Sequence, residues 1–122
     1  MPFLSKLNYE DAKGTNIWGR PEYKLTSPLE YDYKGYILIR VPKGFKTDFA
    51  TIPNWILFLR PDNGKWKKAS VVHDFLCKRE GLPKVTADRV FYYAMLDDEA
   101  SVFTAYLLWA AVRINRIVQG QR

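Results

Sequence analysis

The apolar pattern of this chain changes its period once, just after Pro53, and that switch limits the folds open to it. Before it, Leu29-Glu30-Tyr31-Asp32-Tyr33 alternates apolar and acidic residues, and residues 36–41 are rich in branched and aromatic side chains. A period of two sends alternate side chains to opposite faces of a strand. Lys34-Gly35 lies between the two runs, and glycine tolerates the positive φ of a tight turn. An antiparallel hairpin follows, ended by Pro42, which has no amide donor for a ladder. Residues 22–26 read as a further strand stopped by Ser27-Pro28. The first twenty residues, with Gly14 and Gly19, read as irregular or as a short edge strand.

Beyond Pro53 the spacing becomes helical. Residues 54–59 read as a short helix closed by Arg60-Pro61 and the turn Asp62-Asn63-Gly64. Residues 65–79 carry Ala69, Val72 and Leu76 at helical spacing, and Gly81 and Pro83 stop them. Thr86 is the expected N-cap of a helix through Leu96, with Val90, Phe91, Ala94 and Met95 on one side. Ser101 is the expected cap of a last helix running to about Val118. Its expected core face is Phe103, Leu107, Ala110 or Ala111, Ile114, and Ile117 or Val118. Arg113, Arg116 and Arg122 near its end complement the helix dipole. The reading is α+β: an N-terminal β-hairpin or small antiparallel sheet packed on a C-terminal three-helix unit. It forms a single domain over residues 1–122, β-rich to about residue 60 and helical from about 61.

Composition removes several classes. A chain of 122 residues, 48% of them hydrophobic, supports a core without covalent staples. The single cysteine, Cys77, forbids an intrachain disulfide and makes a reducing compartment the default. Glu10 and Asp11 interrupt the N-terminal region before an apolar stretch forms, so no secretory signal is expected. The longest apolar run, residues 105–112, is far short of the roughly twenty residues of a membrane span. The net charge of +6 is spread along the chain rather than gathered into a basic tail.

Chemistry concentrates around the one histidine. His73 and Asp74 interrupt the run Ala69-Ser70-Val71-Val72 before Phe75-Leu76, where ionisable groups cost free energy unless partners satisfy them. Adjacent helix residues point about 100° apart, so His73 can turn inward while Asp74 faces solvent. Asp48 follows the hairpin in Gly44-Phe45-Lys46-Thr47-Asp48-Phe49-Ala50-Thr51-Ile52-Pro53, and a turn or capping role suits it equally. Asp88 opens the next helix, and two antiparallel helices on a short loop would bring it near His73. One carboxylate orienting an imidazole, with others holding a cation or water, makes a hydrolytic arrangement. His73 and Asp88 are therefore the candidate catalytic residues, and Asp74 and Asp48 the candidate metal ligands. Cys77, one turn after His73, reads as a small buried hydrophobe. Zinc is disfavoured, since one His and one Cys would need two carboxylates beside them.

The elements Gly44 to Pro53, His73-Asp74-Phe75-Leu76 and Ala87-Asp88-Arg89-Val90-Phe91 together resemble a small protein family of bacteriophages and prophages. That family shows Gly-Phe-x-Thr-Asp-x-Ala-Ser-x-Pro, a His-Asp pair and a later Asp followed by Phe. The resemblance covers about residues 41–113, with Thr51 in place of the usual Ser. It implies phage origin and a shared site rather than a reaction. A local similarity to bacterial secretory-type phospholipases implies roles: His73 as the base, Asp74 as a calcium ligand, Asp88 orienting His73. Calcium is thus the implied cofactor, with Gly44 to Pro53 standing in for the absent glycine-rich loop and Cys77 where a Tyr is expected.

Two function classes stay open. One is a metal-assisted hydrolase of ester or phosphoester bonds. The other is a non-catalytic virion or tail component, or a host-interaction protein, in which the same residues form a buried polar network and abundant Tyr and Trp serve an interface or oligomer. Nucleic-acid binding ranks third, on Lys65, Trp66, Lys67 and Lys68. The expected location is the host bacterial cytoplasm during infection, or the virion.

Overall fold

The computed structural model describes residues 3–15, 21–35, 37–47, 66–78 and 83–118. Asp48, Lys65 and the short helix expected at 54–59 lie outside them.

Among the described residues, five strands precede three helices. The hairpin joins β3 (Leu29–Tyr33) to β4 (Ile37–Val41), paired from Leu29↔Val41 to Tyr33↔Ile37. Lys34 and Gly35 both take positive φ, 53° and 75°, and the Gly35 amide donates to Asp32 Oδ1 at 3.1 Å. The alternation seen in the sequence sets the faces: Leu29, Tyr31, Ile39 and Val41 are buried, while Glu30 and Asp32 are not.

Of the two readings of the N-terminal region, irregular or a short edge strand, residues 9–15 take the second. Strand β1 (Tyr9–Thr15) runs antiparallel to β2 (Pro21–Leu25), whose other edge takes the two-residue β5 (Lys46–Thr47). Pairing is irregular between Asp11 and Thr15. The sequence Tyr-Glu-Asp-Ala-Lys-Gly-Thr lacks a clean apolar alternation, so its register comes from β2 rather than from a buried face.

The helices are α1 (Lys67–Lys78), α2 (Lys84–Asp97) and α3 (Val102–Val118). Every residue of α1 from Ala69 to Leu76 is buried, which makes this the central helix, as expected from its apolar flanks. Its last residue and the first of α2 are separated by 79–83, a connection that returns the chain antiparallel. The pairs Lys68–Asp98 and His73–Asp88 confirm that direction. The start of α2 corrects the expected cap. Pro83 is the N-cap, with φ −52°, and its carbonyl accepts from Thr86 and Ala87. Proline presets a helix-compatible φ, so the cap lies three residues before Thr86, the helix begins at Lys84 and Asp88 falls in its second turn.

Helix α2 ends in a Schellman arrangement. The Ala100 amide donates to Met95 O and the Glu99 amide to Leu96 O, with Glu99 at φ 71°. Ser101 then caps α3, accepting from the Thr104 amide at 3.1 Å. The core face of α3 is not the expected one: Thr104, Ala105, Leu108 and Val112 are buried, while Phe103 and Ile114 are exposed. Both sides of α3 are apolar, and the side with the smaller residues packs closest.

The hairpin lies against α1 and α2. Tyr31 Oη donates to Asp97 Oδ2 at 2.6 Å, and burial together with that carboxylate pushes the Tyr31 phenol far up from its ordinary pKa. Phe45 meets Phe75 edge-on at 5.6 Å, tying the approach to β5 onto α1. Burying a side chain such as Phe91 or Met95 contributes about 1.5–3 kcal/mol.

Candidate functional site

Each helix gives one ionisable side chain to a single cluster. His73 comes from α1, Asp88 from α2 and Arg113 from α3. Asp88 is 0% exposed and His73 3%. A carboxylate so enclosed needs compensation on both oxygens. His73 Nε2 donates to Asp88 Oδ1 at 2.6 Å, and Arg113 Nη1 donates to Oδ2 at 2.9 Å. An ionised carboxylate only accepts, which puts the shared proton on Nε2. The Phe91 ring sits 5.3 Å from the imidazole, and half-buried Cys77 holds its Sγ 3.8 Å from Nε2.

These neighbours set the electrostatics. Burial pushes the His73 imidazole pKa down, but hydrogen bonds to Asp88 and Cys77 carry it the other way, to a net position above its ordinary 6.5. The result is a basic imidazole whose orientation is fixed by a carboxylate.

Asp74 belongs to a second cluster. It leaves α1 about a quarter-turn from His73 and accepts from Thr47 Oγ1 at 2.6 Å, with Lys78 Nζ at 3.5 Å from the same oxygen. Thr47 is fully buried, so β5 is fastened to the central helix at this point. Of the four residues singled out in the sequence, the structure brings His73 and Asp88 together and seats Asp74 beside Thr47. Asp48, the residue after Thr47, is outside the described residues. Among the described residues, no three His, Cys, Asp or Glu side chains are grouped to hold a metal ion. Calcium takes six to eight oxygens, and Asp74 is one carboxylate already facing an ammonium. The described residues therefore do not by themselves make up a calcium site.

Two participants are not evident from the sequence. Arg113 suits the helix dipole by its position near the end of α3, yet it reaches Asp88, whose burial calls for a cation. Thr47 stands beside the more conspicuous Asp48, and it is Thr47 that bonds Asp74. The basic cluster at the start of α1 resolves differently: Trp66 is buried, and Lys68 pairs with Asp98 and lies 5.2 Å above the Phe3 ring.

Comparison with known proteins gives a family match. The model of the family described as "Protein of unknown function (DUF1353)" matches residues 23–112, which include His73, Asp74 and Asp88 and stop one residue short of Arg113. The uncharacterized protein y4jT of Sinorhizobium fredii is 32% identical over 95 residues, which are 76% of this chain and 28% of that protein. The chain thus corresponds to less than a third of that relative's length. No solved structure matches.

Proposed function

The chain belongs to the DUF1353 family of proteins of unknown function, and we propose that within it His73 and Asp88 form the proton-accepting pair of a small hydrolase of ester or phosphoester bonds. The observation that carries this reading is the 2.6 Å bond between His73 Nε2 and Asp88 Oδ1. A carboxylate on one imidazole nitrogen fixes the tautomer and strengthens the other as a base. In this reading Nδ1 takes the proton from an attacking water, Asp88 stabilises the imidazolium that forms, and Arg113 keeps Asp88 ionised. A phage or prophage setting belongs to the same proposal and rests on the motif resemblance.

The test is hydrolysis of nitrophenyl esters and bis-nitrophenyl phosphate by the full chain. Turnover of either class, falling on the order of a hundredfold or more in Asp88→Asn while the variant still melts cooperatively, is the expected result. A folded wild type that cleaves neither class would overturn it.

The complete burial of Asp88, with Arg113 on its second oxygen, favours a second reading. There the trio only holds three helices together, and the protein acts by binding a phage or host partner. That reading predicts no turnover by the wild type and a lowered melting temperature in Asp88→Asn.

A further inference from the structure

Helix α3 is apolar on two opposite sides, and only one of them is used by the core. The buried side carries Ala105, Leu108 and Val112, while Val102, Phe103, Tyr106 and Ile114 lie on the other, with Phe103 77% and Tyr106 60% exposed. Their spacing is that of one helical stripe. Where the stripe meets α2, a cavity of about 240 Å³ opens between Val85, Arg89, Tyr92, Tyr93, Tyr106 and Trp109. Its rings brace one another: Tyr92 stands edge-on to Trp109 at 6.3 Å, and Tyr106 lies 5.9 Å from Trp109. Aromatic side chains held in this way supply contact area at low entropic cost, as at binding hot spots. Arg89, exposed on the rim, makes no ion pair among the described residues.

We propose that this outer face of α2 and α3 docks a partner polypeptide that presents an acidic amphipathic helix. An apolar side chain of that helix fills the cavity at Tyr92, Tyr106 and Trp109, and a carboxylate beside it meets Arg89. A groove between two helices is the shape that a third helix packs into. Charge selects the partner. Arg89 stands exposed at the rim of the cavity, helix α3 contains no acidic residue, and the whole chain carries +6. A second copy laid on this face would set like charges together, and a lipid surface would leave a concave cavity unfilled. The inference does not depend on the reading of His73.

Selection of helical peptides from a randomised 16-residue library on the full chain tests the proposal. The expected winners are net acidic, with apolar residues at i, i+3, i+4 and i+7. Their binding weakens about tenfold or more in both Arg89→Glu and Tyr106→Ser, which change exposed positions and leave the melting temperature in place. Winners without acidic bias, or winners indifferent to both substitutions, would overturn it. So would binding to phosphatidylglycerol vesicles, or dimerisation in sedimentation, that the same two variants abolish while selected peptides compete with neither.

Discussion

Adjacent in the chain, His73 and Asp74 serve opposite ends of the fold. His73 reaches α2 through Asp88, and Asp74 reaches β5 through Thr47. The turn of about 100° between neighbouring helix residues lets one dipeptide join the central helix to both the helical unit and the sheet. In a two-residue motif this divides the labour: one member joins the central helix to α2 and the other fastens β5.

Removing Arg113 should be the most costly single change in the cluster. Arg113→Met leaves the buried Asp88 carboxylate without its guanidinium, and the expected loss is about 3–5 kcal/mol in urea unfolding. Arg113→Lys should recover part of it. The double variant Arg113→Met with Asp88→Asn should lose less than the sum of the singles. Strict additivity in this cycle would show that the 2.9 Å contact does not couple the two residues.

The stability contributed by His73 should depend on pH in a defined direction. Its folded pKa lies above the ordinary 6.5, so the native state holds the proton more tightly than the unfolded chain. That contribution is complete below pH 6.5 and is lost as pH rises through the folded pKa. As the only histidine, His73 gives one unambiguous imidazole signal to titrate. A midpoint below 6.5, or a His73→Gln variant with the same pH–stability profile as wild type, would contradict the assignment. If the pair catalyses, activity rises through this same midpoint, since the base must be unprotonated.

Thr47→Val keeps the shape of the side chain and removes its hydroxyl from Asp74. The expected cost is about 1–3 kcal/mol, the range for leaving a buried acceptor short of a donor. Thermal unfolding measures it, and hydrogen exchange at Leu25 should quicken as well, because the Leu25 amide donates to Phe45 O at the approach to β5. An unchanged melting temperature would mean that Lys78 alone suffices for Asp74.

Glu99→Gly should stabilise the protein. Glu99 sits at φ 71° in the terminating turn of α2, a conformation that glycine adopts without a Cβ penalty. The gain should be about 0.5–1 kcal/mol, reduced by the extra freedom of glycine in the unfolded chain. A loss of stability would indicate that the Glu99 side chain contributes more than its backbone costs.

Much of this architecture is legible in local patterns. The hairpin is written in the alternation of residues 29–33 and in Lys34-Gly35, and the pairing of His73 with Asp88 follows from two helices joined by a short loop. Three things are not local. Strand β1 has too little apolar alternation to decide between an edge strand and irregular chain, and its pairing with β2 decides it. Helix α3 has two apolar sides, so periodicity reports that it is amphipathic in both directions without saying which side faces in. Arg113 is twenty-five residues from Asp88, and only the packing of α3 against α2 reveals that they meet.

The trio of His73, Asp88 and Arg113 also bears on how the chain is made. Synthesis runs from the N-terminus, so α1 and α2 emerge before Arg113 exists. In a nascent pair of helices Asp88 lacks the guanidinium that meets its second oxygen in the finished fold. That contact forms only when the last helix arrives. The third helix is therefore the latch of the domain, and a chain cut short before Val102 would display a more open, protease-sensitive helical hairpin.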